Sequence, residues 1–213
     1  GGGWYTRILA NYLGAKGRLY GVTYADRMWS MFDFATPEWI EKRLTTAEQF
    51  PEQVASYTHN GITARGFTFE QVPENVQGTV DRVLLVRALH NLNRFEHLAN
   101  TRTEALASVH SLLKDDGLVG LVQHRAQETA DNHWAVGNAG YLKQSHVIAM
   151  FQEAGFELVA ASEINANGLD NPSADDVVWR LPPSLRGGDS DERAANLATG
   201  ESDRMTLLFR KAE

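Results

Sequence analysis

The 213-residue chain contains no cysteine. That excludes disulfides, thiolate catalysis and cysteine-ligated zinc. Positive charge is also scarce: 20 Lys and Arg stand against 27 Asp and Glu, a net −7. Broad binding to a phosphate backbone needs a basic field, so no nucleic-acid partner is expected and a small molecule is. No apolar run approaches the roughly 20 residues that cross a bilayer. With no membrane span or export signal legible, the expected compartment is the cytoplasm. The 7 histidines include no HxxxH or HxH spacing, so no metal site is expected.

What is present is ordinary globular material, 43% apolar and 22% charged. The chain opens "GGGWYTRILANYLGAKGRLYGVTY". Trp4, Ile8, Leu9, Tyr12 and Leu13 recur at helical spacing, and Gly14 supplies a stop. A strand is read at 18–24. Thr36-Pro37-Glu38 carries a cap, a first-turn proline and an acid, which starts a helix. A second helical piece is read at 51–59 and a strand at 62–70. The apolar run at 81–89 reads as a strand covered on both faces.

A helix is expected over 103–114, ended by Asp115-Asp116-Gly117, then a buried strand over 118–124. Ser145 is read as the cap of the next helix, with Val147, Ile148 and Phe151 facing inward. Strands at 156–164 and 204–211 follow. Between them, 165–203 is rich in Gly, Pro, Asn and Asp; from 170 to 203 it holds eight acids and three arginines. It reads as a solvated excursion, a lid or a dimer arm. Alternating helices and strands imply an α/β fold, a Rossmann-like, doubly wound and mostly parallel sheet, in a single domain over 1–213.

Glycines that open a helix let a nucleotide-like ligand approach bare backbone at a helix N-terminus. The strand that would feed them is expected to lie upstream of Gly1. A dinucleotide loop wants a third glycine three residues after the second; counted from Gly3 that position is Thr6, which disfavours a nicotinamide cofactor.

In this order the parts resemble a class I S-adenosylmethionine-dependent methyltransferase, and within it a bacterial group of predicted methyltransferases. "GGGWYTRILANYLGAKGRLYGV" is similar to the first motif, its helix and the next strand, without the leading strand. "VDRVLLVRALHNL" resembles the fourth motif, and "LLKDDGLVGLVQH", "MFQEAGFELV" and "ESDRMTLLFRK" the later elements, the last an antiparallel final strand. The resemblance implies S-adenosylmethionine as cofactor and methyl transfer to a small molecule. It places Gly1 and Gly3 beneath the methionine part, with Thr23, Tyr24 and Asp26 at the ribose. Thr68, Phe69 and Glu70 fall near adenine, and Leu85, Val86 and Arg87 line the cofactor from the fourth motif.

His90 and His124, each after a strand at the ligand edge, are the candidate catalytic groups, as base or as orienting donor. Tyr5, Asn91, Trp134 and Tyr141 are the candidate acceptor contacts. A homodimer is possible on the acidic segment. The competing reading is a non-catalytic nucleoside-binding or interaction module built on the same fold.

Overall fold

The computed structural model describes residues 3–212. The chain divides into two compact units, Gly1–Asn75 and Val76–Glu213.

In the first unit, helix α1 (Trp4–Leu13) leads to strand β1 (Arg18–Thr23), a 3₁₀ turn (Asp26–Met31), α2 (Pro37–Leu44), α3 (Phe50–Ala55) and β2 (Thr63–Thr68). β1 and β2 pair in parallel, from Arg18 opposite Thr63 to Thr23 opposite Thr68. The α2 start is as its sequence dictates: the Thr36 hydroxyl accepts the Trp39 amide at 3.2 Å, and Pro37 needs no donor. Ala10, Leu19, Phe50 and Val54 form this unit's core, with Leu9 and Ile62 against it. The stripe on α1 behaves otherwise than its period suggests. Trp4 is 66% exposed and Tyr12 83%; Ala10 is the buried residue of the helix. Periodicity specifies a common face, but it does not specify a neighbour to cover it.

In the second unit, β3 (Val80–Val86) precedes the short helices α4 (Leu89–Arg94) and α5 (Glu96–Ala99). Then come α6 (Thr101–Leu112), β4 (Leu113–Ala126), β5 (Leu142–Lys143), α7 (Gln144–Glu153), β6 (Phe156–Ser162), α8 (Ser190–Thr199) and β7 (Arg204–Lys211). The sheet order is β3-β4-β7-β6, with β5 paired to β4. β3 runs parallel to β4, whereas β7 is antiparallel to both β4 and β6. The mostly parallel sheet with an antiparallel last strand is therefore present. Phe151 of α7 stacks on Phe209 of β7 at 4.1 Å, and Phe156 adds a second ring contact at 5.5 Å. No helix among the described residues is long and apolar enough to cross a membrane.

Four local expectations are corrected. β3 is an end strand of its sheet, and Leu84 is 51% exposed; its apolar run is not covered on both faces. α6 ends at Leu112, because Leu113 already pairs with Val80 at the start of β4; Asp115, Asp116 and Gly117 lie inside β4, in the irregularity before pairing resumes between Arg82 and Leu118. The cap position of α7 is Lys143, while the Ser145 amide and hydroxyl both donate to Glu128. Within 165–203, a capping box forms α8: the Asp189 carboxylate accepts the Asp191 and Glu192 amides at 3.0 Å, and Glu192 accepts the Asp189 amide at 2.9 Å. The segment is thus partly helical, and its Asp170, Val178 and Leu181 are buried.

Candidate active site

The carboxyl ends of β3 and β4 carry the polar interior of the second unit. β3 runs through Leu85, which is buried, and Val86 to Arg87, whose φ is 52° and whose amide donates to Val122 at 2.7 Å. A non-glycine residue in that region stores strain, which native structures keep chiefly at functional turns. The reversal delivers His90 and Asn91 into α4. His124 lies within β4, opposite Arg204 of β7.

The two histidine rings face each other at 5.8 Å, both nearly inaccessible at 4% and 8% exposure. Gln123 sets the chemistry of the first. Its amide nitrogen donates to the Gly140 carbonyl at 2.8 Å, so its oxygen is the atom turned to His90, 3.3 Å from both the backbone amide and Nδ1. A carbonyl oxygen can only accept; Nδ1 is therefore the protonated nitrogen and Nε2 keeps the lone pair. His124 Nδ1 meets the Ser202 hydroxyl at 2.6 Å.

Burial pulls the His90 pKa down to about 4, against the pull of Gln123, with Arg87 and Arg94 adding to the drop. Burial takes His124 to about 2, helped by the charges of His90, Arg87 and Arg204. Both imidazoles are neutral at physiological pH.

The 165–203 segment closes over this pair. Trp179 lies 6.0 Å from the His90 ring, and the Val178 amide donates to Ala139 at 2.9 Å. Tyr141 is fully buried, 6.2 Å from His124. Its hydroxyl donates to Asp170 at 2.9 Å, and burial next to that carboxylate holds its pKa well above the ordinary tyrosine value. Asp170 also accepts from Arg180 at 3.0 Å and from the Asp203 amide at 3.0 Å. Burial nevertheless pushes its pKa up, outweighing those partners. Trp134 stacks on Tyr141 at 5.3 Å, and cavities of about 260 and 300 Å³ open along it. Of the acceptor candidates in this unit, Trp134 reaches open space and Tyr141 does not.

Gln123, Asp170, Trp179, Arg180 and Ser202 escaped the sequence reading. Gln123 had a signal, as the polar residue in the apolar run "LVGLVQH". Trp179 and Ser202 meet the histidines, and Asp170 meets Tyr141 and Arg180, only through folding of a segment that has no periodicity.

In the first unit, six candidates gather at the carboxyl ends of β1 and β2. Thr23 pairs with Thr68, and the Phe69 amide donates to Thr23 at 3.1 Å. The Asp26 amide donates to Glu70 at 3.2 Å, and Glu70 is tied up in an ion pair with Arg27. The Asp26 carboxylate makes no ion pair or side-chain hydrogen bond among the described residues. Tyr24 packs on Trp29 at 5.2 Å. The Thr68 hydroxyl is buried without a hydrogen-bond partner. Gly3 caps α1 with φ 79°, where a side chain would collide with the Tyr57 hydroxyl; Tyr5, in the first turn of α1, is exposed. Gly1 lies outside the described residues. No group of metal-ligating side chains occurs among the described residues.

Compared with solved structures, the chain aligns over 99% of its length with 90% of a chain in the complex between the Haloferax volcanii Trm112 methyltransferase activator and a proposed methyltransferase. The TM-score is 0.50 at 12% identity. The fold is that of the class I methyltransferases. At that identity the likeness establishes the methyltransferase fold and nothing finer. The chain also aligns over 99% of its length with 79% of the Burkholderia thailandensis 1,6-didemethyltoxoflavin-N1-methyltransferase, at 11% identity and a TM-score of 0.48. Geranyl diphosphate C-methyltransferase from Streptomyces coelicolor A3(2) aligns over 97% of this chain and 79% of its own, at 10% identity and 0.47. No protein-family model and no curated protein matches the sequence.

Proposed function

We propose that the protein transfers a methyl group from S-adenosylmethionine to a small acceptor. The observation that carries this reading is the edge formed by β1 and β2. There an uncommitted carboxylate, Asp26, and a buried, unpartnered hydroxyl, Thr68, stand at adjacent strand ends on the methyltransferase fold. That donor set fits a nucleoside: a carboxylate suits two ribose hydroxyls, and a buried hydroxyl without a partner is a vacancy for a hydrogen bond. Thr23, Tyr24, Asp26, Thr68 and Phe69 are proposed to hold it in the first unit. Glu70 braces them through Arg27.

The chemistry such a cofactor supplies is an electrophilic methyl, whose bond to sulfur breaks with both electrons as an acceptor lone pair takes the carbon. The chain's own task is alignment and exclusion of water. His90 and His124 serve it in the second unit. With a pKa near 4, His90 Nε2 is a hydrogen-bond acceptor that orients an N–H or O–H, and a weak base. The acceptor is therefore one that reacts without prior removal of a tightly held proton: a neutral amine, a heteroaromatic nitrogen or an acidic hydroxyl. The 165–203 segment acts as the lid, held by Asp170.

Isothermal titration with S-adenosylmethionine and its demethylated product tests the reading. Both are expected to bind, and Asp26→Ala and Thr68→Val to weaken binding roughly tenfold each, the loss of one hydrogen bond to a bound group. Absence of binding to the folded wild type sinks it. Incubation of candidate metabolites with labelled methyl donor then identifies the acceptor.

A further inference from the structure

The first unit holds a second cluster that the methyl-transfer reading does not use. The 3₁₀ turn and α2 bring Trp29, Phe32, Phe34 and Trp39 into mutual ring contact. Trp29 meets Trp39 at 5.6 Å, Phe32 meets Trp39 at 5.8 Å, and Phe34 meets Trp39 at 5.3 Å. Arg43, one turn beyond Trp39 on α2, lays its guanidinium 4.9 Å from the Trp39 ring centre and 5.8 Å from that of Trp29.

Ring faces satisfy the positive charge of a guanidinium, but they do not accept its in-plane N–H bonds. Arg43 has no carboxylate partner among the described residues. Its Nε is buried without an acceptor, and so is the indole Nε1 of Trp29. Two buried donors in one cluster therefore lack a shared kind of partner. Native interiors leave few such groups, and each asks for an explanation. Phe34, at the rim of the same cluster, is 61% exposed.

We infer that this cluster is a binding site for a flat aromatic carboxylate. The carboxylate takes the planar guanidinium fork, which it matches in geometry and charge. The ring of the ligand lies against Phe34, the exposed ring of the cluster. The inference stands apart from the methyl-transfer reading, because it concerns binding alone.

Benzoate, benzamide and inorganic phosphate are the probes, with the five indole N–H resonances of the ¹⁵N-labelled protein as readout. Benzoate is expected to shift the Trp29 and Trp39 signals saturably and leave those of Trp134 and Trp179 in place. Benzamide, the same shape without charge, is expected to bind roughly tenfold more weakly. Arg43→Met, which keeps the stem on the rings and removes the fork, is expected to abolish the response; Arg43→Lys restores only part of it. Unmoved Trp134 and Trp179 signals in the variants report an intact second unit, and far-ultraviolet circular dichroism with the Trp4 signal reports the first. Equal responses to benzoate and benzamide overturn the inference, as does an equal response to phosphate. Loss of S-adenosylhomocysteine binding in Arg43→Met also overturns it, by assigning the cluster to the cofactor.

Discussion

Asp170 accepts the Tyr141 hydroxyl at 2.9 Å, joining the 165–203 segment to the loop before α7 across 29 positions of sequence. The same carboxylate holds Arg180 and the Asp203 amide, so one buried group ties three parts of the second unit together. Tyr141→Phe is expected to cost about 1.5–3 kcal/mol, the range for a hydrogen bond to a charged partner. Asp170→Ala is expected to cost about 3–5 kcal/mol, since it leaves the buried Tyr141 hydroxyl and the Asp203 amide unpaired and takes from Arg180 one of its two carboxylates, Asp176 being the other. Urea unfolding of the two single variants and the double variant measures the coupling. Strictly additive losses would mean that the bond contributes nothing of its own.

The buried histidines make the protein sensitive to acid. Both have folded-state pKa values below the unfolded 6.5, near 4 for His90 and near 2 for His124. As pH falls below 6.5, the unfolded chain takes up protons that the folded one refuses, so stability falls. The His90 contribution levels off near pH 4, while that of His124 continues to fall. Each histidine contributes about 1.4 kcal/mol per pH unit within its window. Thermal melts from pH 7 to 4.5 are expected to show this slope in the wild type. The double variant His90→Gln, His124→Asn is expected to show a slope smaller by up to two protons. Parallel profiles would mean that the rings are hydrated in solution.

Gly137 sits at φ 109° against the His90 carbonyl, where a methyl group would overlap the backbone. Gly137→Ala therefore combines a disfavoured conformation with a clash, and a loss of about 2 kcal/mol or more is expected. Gly168, with open space around it and no positive φ, is the matched control. Gly168→Ala is expected to be within about 0.5 kcal/mol of wild type. Chemical denaturation of both variants makes the comparison.

α8 is held by its caps and by polar contacts: Arg180 donates to Asn196 at 3.2 Å, and the Arg193 guanidinium donates to the Leu185 carbonyl. α8 has no buried residue, yet its capping box is complete. Asp189→Ala is expected to cost the helix about 1 kcal/mol. Hydrogen exchange is expected to report faster exchange across 190–199 with the global melting temperature nearly unchanged, because local opening is uncoupled from the core. A cooperative fall of the global transition would show that α8 is part of the core.

Local chemistry determined the elements whose reasons are local. Thr36-Pro37-Glu38 starts α2 because cap, proline and dipole all act within one turn. β7 occupies the expected 204–211, since its alternation matches a strand with one buried face. Where a competing partner lay far away, local signals failed. The sequence predicts a helix running to Lys114, but Leu113 pairs with Val80 of β3 and ends α6 at Leu112, while Asp115-Asp116-Gly117 marks the break in the ladder before Leu118.

For the candidate site, sequence alone determined that one histidine follows β3, that another lies near the carboxyl end of β4, and that polar residues follow β1 and β2. Only the tertiary structure decided what those residues are able to do. Burial stripped His90 of its strength as a base, and Gln123 chose which of its nitrogens keeps the lone pair. Asp170 and Trp179 came to the site from a segment without periodicity. Desolvation and hydrogen-bond direction depend on neighbours in space, and a one-dimensional pattern carries neither.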